Sequence, residues 1–139
     1  MRFIDGSTFL YAFLKPRRPL PRKVAEIKAN AQSILRRVNE GEDVLTSVVH
    51  VSEVANILEA RIAFSDSRPI IGDIVDKSSV EVVDVTRDLY IASIQTADVH
   101  DISINDALAL NIMKGREIDE IYSFDKHFDN IHEIRRLTR

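Results

Sequence analysis

The chain has 139 residues, 45% of them hydrophobic and 29% charged, and contains no cysteine. That length fits one domain over residues 1–139 with a core that needs no covalent staple, and the missing thiols exclude disulfides and thiolate metal sites. The formal net charge of −3 does not advertise a nucleic-acid partner, so where the charges lie carries more information than their sum.

Residues 2–5, RFID, read as a short buried strand ending on Asp5. The apolar stretch around it is short, is interrupted by Asp5 and lacks a signal-peptide cleavage pattern. No apolar run reaches the roughly 18 residues of a membrane span, so a cytoplasmic chain with no membrane partner is expected. Gly6 turns the chain, Ser7 is placed as a helix N-cap, and Thr8–Leu14 forms one or two helical turns. Pro16, Pro19 and Pro21 end that helix. Lys15–Arg37 carries eight basic residues against the single acid Glu26. Within it, Val24, Ile27, Ala31, Ile34, Leu35 and Val38 have helical spacing, with Asn39 and Gly41 at the stop.

Asp43–Ser47 reads as a second strand, and Ser47 or a neighbour caps the next helix. That helix buries Val51, Val54, Ala55, Leu58 and Ile62 and carries Glu53 in its early turns. Ser65–Pro69 reads as a break before a weaker helix over Ile70–Lys77. Ser79–Thr86 is β-branched and partly alternating, which gives a third strand. Thr86 caps a helix to about Asp101, and Ser103 caps another to about Lys114, with Gly115 as its stop. Glu120–Phe124 is a fourth strand running into Asp125, and Glu133–Leu137 a short fifth. Strands alternating with helices of this length predict an α/β fold: three layers, α/β/α, around a mainly parallel sheet of four to five strands. Ligands of such sheets bind beyond the carboxyl ends of the strands.

Asp5 and Asp125 each end a predicted strand, and Glu53 and Asp106 lie in early turns of helices that start at the same edge. Each acid has a local explanation. Ser103 and Asp106 form an S-x-x-D capping box, Glu53 is a first-turn acid, Asp5 forms a turn with Gly6, and Asp125 caps the turn at Lys126–Phe128. Together they need a further one. Two carboxylates about 4 Å apart repel by on the order of 4 kcal/mol at an effective dielectric of about 20. Such a cluster persists only if cations neutralise it or one acid stays protonated. Oxygen ligands without thiols suit Mg²⁺ or Mn²⁺, and a two-ion clamp suits phosphoryl displacement. His50, His100, His127 and His132 show no metal-ligand spacing and read as ordinary surface or core histidines. No Walker A loop, G-x-G-x-x-G or G-x-S-x-G occurs.

The stretches FIDGSTFL, LTSVVHVSEVANIL, ISINDALALNIMKG and IYSFDKHFDNI, in that order and spacing, resemble a PIN-domain ribonuclease. Within that family the chain is most like the toxin of VapBC-type toxin–antitoxin pairs. The resemblance implies that Asp5, Glu53, Asp106 and Asp125 are the catalytic and metal-binding acids. It implies Ser7 and Ser123 as hydrogen-bond donors that orient Asp5 and Asp125; Ser123 stands where the family more often has Thr. Asp129 is read as structural. The implied reaction is Mg²⁺- or Mn²⁺-dependent hydrolysis of RNA to a 5′-phosphate and a 3′-hydroxyl. A cognate antitoxin and a homodimer are implied partners.

The basic, proline-bearing segment Lys15–Lys28 departs from the family pattern. Its Arg17, Arg18, Arg22 and Lys23 are candidate RNA-backbone contacts, the alternative being a solvated helix face. Other readings are a housekeeping PIN nuclease in RNA processing and a catalytically idle module that keeps only the fold. A phosphoacceptor receiver domain needs adjacent acids near the first strand and a lysine after the last strand. Here Asp5 stands alone near the start and Lys126 directly follows Asp125.

Overall fold

The computed structural model describes residues 1–139. Its strands are β1 (Arg2–Ile4), β2 (Val44–Ser47), β3 (Val80–Val83), β4 (Glu120–Tyr122) and β5 (Arg135–Leu137). All neighbouring strands pair in parallel, in the order β3-β2-β1-β4-β5. Six α-helices accompany them: α1 (Gly6–Phe13), α2 (Arg22–Asn39), α3 (Val48–Arg61), α4 (Phe64–Asp76), α5 (Arg87–His100) and α6 (Ile104–Gly115).

The period of two along each strand sorts the core into two layers. Ile4, Val44 and Tyr122 face one side, where they meet Phe9, Ile34, Val38, Val51, Val54 and Leu58 from α1, α2 and α3. Phe3, Leu45 and Ile121 face the other, against Leu108, Leu110, Ile112 and Met113 of α6. α6 is therefore buried almost all round, because α5 covers its outer side. Asn111 of α6 joins that seam through Ser93 and Thr96 of α5. The outcome is the expected α/β/α sandwich, with five strands and no antiparallel member.

Three local expectations fail. Glu53 is not a first-turn acid: α3 begins at Val48 and its first turn holds no acid, so Glu53 lies in the second turn. Ser65–Pro69 is not a break: α4 begins at Phe64 and runs through Pro69. Proline removes the bond its N–H would give to the carbonyl of Ser65, but both residues are exposed, so that carbonyl is open to solvent and the loss is small. Ser7 is not the cap of α1 either. Asp5 occupies the N-cap position with extended backbone, and Ser7 lies one residue inside the helix. Its hydroxyl is engaged elsewhere, as described below.

The lysine nearest the proline loop has a structural task. Lys28 Nζ donates to the carbonyls of Tyr11, Ala12 and Leu14, between 2.6 and 3.3 Å, and so closes the C-terminal end of α1. Burial, with Lys15 adding to it, lowers its pKa.

A second polar knot ties β4 to β1 and to the α2–β2 turn. The Tyr122 hydroxyl donates to Glu42 at 2.5 Å and accepts from Arg37 at 3.2 Å. Arg2 bridges Glu42 and Glu120 at 2.8 and 2.6 Å. Burial pushes the Glu42 carboxyl up, but hydrogen bonds from Tyr122, Arg37 and Arg2 outweigh it and hold the group below its usual range. Tyr122→Phe leaves this carboxylate short of a donor while keeping the ring. Urea unfolding is expected to show a loss of about 1–2 kcal/mol with an unchanged m-value.

Candidate metal centre

The strand order reverses at β1. The chain moves outward from β1 through β2 to β3, then returns to the other side with β4 and β5. The crevice beyond the carboxyl ends of β1 and β4 is thus the switch point of the sheet. Asp5 directly follows β1, and Ser123–Asp125 directly follow β4.

Asp5 is buried and its backbone N–H pairs with the Tyr122 carbonyl at 2.9 Å. Its Oδ2 accepts from the hydroxyls of Ser7 at 2.8 Å and Ser123 at 2.9 Å. Each hydroxyl also accepts a backbone N–H from the loop after β4: Phe124 to Ser7 and Asp125 to Ser123, both at 3.0 Å. The two serines thus bolt the end of β1 to the Phe124–Asp125 segment. Both side chains turn toward Asp5, whereas Asp125 is reached only through its own N–H, which narrows the expectation that the serines orient both acids.

Ser103 caps α6 by accepting the Asp106 N–H at 3.1 Å, as expected. The reciprocal half of a capping box is missing. The Asp106 carboxylate turns away into the crevice, where its Oδ2 is buried without a hydrogen-bond partner. Burial, then the charges of Asp5 and Asp125, push its pKa up to about 6, against the nearby Ser103 hydroxyl and His127. An orphaned carboxylate oxygen among other acids costs stability unless a cation meets it. This donor set therefore fits a hard divalent ion.

Asp125 caps the 3₁₀ turn Lys126–Asn130 by accepting the His127 N–H at 2.9 Å. That turn carries the His127 ring back over the acids. Its Nδ1 lies 3.1 Å from Asp125 Oδ1 and 3.6 Å from Asp106 Oδ2. Ligand atoms of Asp106, Asp125 and His127 all fall within 4.8 Å of one another. His127 is a surface histidine, as expected, but one that the turn sets beside the acids; the signal in the sequence is its place two residues after Asp125.

Glu53 stands outside that tight group. Its Oε2 accepts from Asn105 Nδ2 at 2.5 Å, and Asn105 is the neighbour of Asp106, so the two acids are coupled through adjacent residues of α6. Behind them His50 is buried, as a core histidine should be. Its Nε2 lies 3.0 Å from the Asn105 carbonyl, which can only accept, so Nε2 carries the proton. Nδ1 then accepts from Ser47 Oγ at 2.6 Å. Burial lowers the pKa of this ring against the pull of Asp5, the Asn105 carbonyl and Glu53. Asn105 and His50 thus sit directly behind the acids, where no sequence motif singles them out. Asp129 is bound by Arg136 at 2.7 and 2.8 Å, in keeping with a structural role.

The basic segment lies to one side. A cavity of about 1000 Å³ is lined by Lys15–Pro21, including Arg17 and Arg18, together with Arg61 and Ile70. An adjoining groove of about 410 Å³ runs along Leu14, Lys15, Leu20 and Arg61 and reaches Ser7 at the acidic crevice. Arg22 and Lys23 are exposed but line neither; Arg22 pairs with Glu26 at 3.5 Å.

The chain matches the family model described as PIN domain over residues 2–134. No curated protein sequence matches it. Among solved structures it is similar to VapC20 of Mycobacterium tuberculosis, described as a sarcin–ricin-loop-cleaving toxin. The identity is 21% over 95% of each chain, with a TM-score of 0.74. It is also similar to a chain of a toxin–antitoxin complex from Klebsiella pneumoniae (12% identity, 100% and 98% of the two chains, TM-score 0.67). A third is a chain of VapBC2 from Rickettsia felis, solved bound to a promoter DNA fragment (10% identity, 98% and 96%, TM-score 0.67).

Proposed function

The chain belongs to the PIN-domain family, and from that premise we propose that it is a metal-dependent endoribonuclease and the toxin of a toxin–antitoxin pair, acting as a single PIN domain over residues 1–139. One observation carries the reading. At the switch point of the sheet, Asp106 presents a buried, unpartnered oxygen beside Asp125, with Asp5 close enough to raise its pKa. A fold that gained nothing from this arrangement would bear its electrostatic cost without return.

Asp5, Glu53, Asp106 and Asp125 are proposed to hold Mg²⁺ or Mn²⁺. A bound ion supplies Lewis acidity, which polarises an RNA phosphodiester and makes water a competent nucleophile at neutral pH. The protein's own part is positional. Ser7 and Ser123 hold Asp5, Asn105 holds Glu53, and the cap of α6 holds Asp106 where its free oxygen faces the crevice. With this acid set no histidine base is needed, and the products are a 5′-phosphate and a 3′-hydroxyl.

RNA approaches along the groove that links Ser7 to the proline loop, with Arg17 and Arg18 of the adjoining cavity on its backbone; Arg22 and Lys23, exposed outside both, are proposed as further backbone contacts. Charge reversal at Arg17, Arg18 and Arg22 is expected to flatten the slope of log Kd against log salt by about one for each phosphate the chain no longer neutralises. An unchanged slope assigns these residues to a solvated face.

The antitoxin is proposed as an inhibitory partner, on the likeness to chains crystallised in toxin–antitoxin complexes. A homodimer has support in the exposed apolar residues Ile91, Ile94 and Val99 of α5, a face that a second copy would cover. A cytoplasmic location fits an RNA substrate, and no helix is long and apolar enough to cross a membrane. Mapping 5′-phosphorylated RNA ends in cells expressing the wild type or Asp106→Asn tests the activity. Ends specific to the wild type support it, and identical maps sink it.

A further inference from the structure

We infer that His127 is a metal ligand through Nδ1, so that Asp106, Asp125 and His127 form a mixed oxygen–nitrogen site selective for a first-row transition ion such as Mn²⁺ over Mg²⁺. This deepens the proposed nuclease reading and rests on its placement of the metal at these acids.

Three observations carry it. First, the three ligand atoms lie within 4.8 Å of one another, with Nδ1 at 3.1 Å from Asp125 Oδ1 and 3.6 Å from Asp106 Oδ2. Ligands about 2.1 Å from one octahedral ion stand about 3 Å apart when adjacent and about 4.2 Å apart when opposite. The two spacings from Nδ1, 3.1 and 3.6 Å, fall in that span. Second, Asp106 is 7% exposed, and its Oδ2, the oxygen that Nδ1 approaches, has no hydrogen-bond partner. A buried acceptor held open beside an imidazole nitrogen is the arrangement that a shared ion completes. Third, the ring is aimed by the backbone. The His127 N–H donates to Asp125 Oδ1, which ties the ring's own turn to the carboxylate it would share an ion with.

The chemistry follows from donor type. Mg²⁺ takes oxygen and keeps its waters, whereas imidazole suits the transition ions, whose affinity for nitrogen rises along the first row. An all-carboxylate site discriminates weakly between Mg²⁺ and Mn²⁺; one imidazole tips it toward Mn²⁺. The opposing view makes His127 only a charge partner of Asp106 and Asp125. A charge partner leaves the bound ion, so it contributes no nitrogen to the ion's coordination and shows no preference between metals.

The test uses the whole chain, without RNA. Mn²⁺ is bound to the wild type and to His127→Phe, and electron spin-echo modulation is recorded for coupling to ¹⁴N. Mn²⁺ and Mg²⁺ affinities are measured in parallel by calorimetry. His127 is 66% exposed at its side chain, so the variant keeps the fold. His50 cannot supply the signal, because both its ring nitrogens are engaged by Ser47 and Asn105.

The expected result is a ¹⁴N coupling in the wild type that His127→Phe abolishes. A rise of about 10–100-fold in the Mn²⁺ Kd accompanies it, with the Mg²⁺ Kd changing by less than about 3-fold. His127→Asp, which restores an oxygen donor, moves the preference back toward Mg²⁺. The inference is overturned by Mn²⁺ bound without ¹⁴N coupling, by equal weakening of both ions in His127→Phe, or by no Mn²⁺ binding at millimolar concentration. A wild type that shows the coupling and the preference but cleaves no RNA retires the nuclease reading and leaves the ligand assignment standing.

Discussion

Asp106→Asn is expected to reduce RNA cleavage by on the order of 10²–10³-fold or more while making the metal-free protein more stable. The two effects have one origin. The Asp106 carboxyl is buried against Asp5 and Asp125, which carries its pKa from 3.8 to about 6. A carboxyl raised in the folded state binds more protons there than in the unfolded chain between those two values. Its stabilising contribution is therefore complete below about pH 3.8 and is lost as pH rises through about 6. At pH 7.5 the ionised group costs the metal-free fold on the order of 1–3 kcal/mol. Asparagine keeps the volume and cannot ionise, so its melting temperature at pH 7.5 exceeds that of the wild type by several degrees. The difference disappears near pH 4. Millimolar Mg²⁺ or Mn²⁺ raises the wild type more than the variant, since the ion binds the folded state through the group the variant lacks. Thermal unfolding against pH, with and without metal, reads all of this. A variant as active as the wild type ends the site assignment, and a variant less stable than the metal-free wild type at pH 7.5 ends the electrostatic account.

The second large effect is expected at the paired serines. Ser123 is fully buried, and its hydroxyl both donates to Asp5 and accepts from the Asp125 N–H. Ser123→Ala removes one of the two hydroxyls on Asp5 Oδ2 and leaves a backbone N–H unpaired beside the crevice. The expected cost is about 1–3 kcal/mol in stability and roughly 10–100-fold in cleavage. Ser7→Ala removes the other donor and frees the Phe124 N–H, with a smaller effect because Ser7 is partly exposed. The pair shares one acceptor, so the double variant departs from the sum of the singles. For Ser123→Ala the loss appears in kcat, with little change in KM, because Ser123 is buried away from the groove and only Asp5 is displaced. Ser123→Thr keeps the hydroxyl and is expected to rescue most of the activity. Unaltered kcat in both alanine variants would refute the positioning role.

The sheet and its two core layers were legible in the chain itself. Phe3 and Ile4, Val44 and Leu45, Ile121 and Tyr122 are adjacent pairs that a period of two must send to opposite faces. The caps Ser47, Thr86 and Ser103 were legible for the same local reason: a hydroxyl before an apolar periodic run accepts a nearby N–H wherever the chain is placed. Pro69 was misleading because a proline's effect on a helix depends on whether water can reach the carbonyl it orphans, and exposure is a property of the folded surface. Ser7 misled for a related reason. Its local choice was to cap a helix, but a stronger acceptor, Asp5, and a donor 117 residues away, the Phe124 N–H, claimed the hydroxyl.

Sequence alone therefore determined the alternation of strands and helices, the parallel layering, and the places of Asp5, Asp106 and Asp125 at element boundaries, since these follow from residue spacing and strand order. Only the tertiary structure decided which groups actually meet. It left Asp106 with an open oxygen, tied Glu53 to Asn105, turned both serines onto Asp5 and swung His127 over Asp106 and Asp125. The physical reason is that these contacts depend on distances fixed by packing between segments far apart in the chain, and local sequence carries no information about such distances.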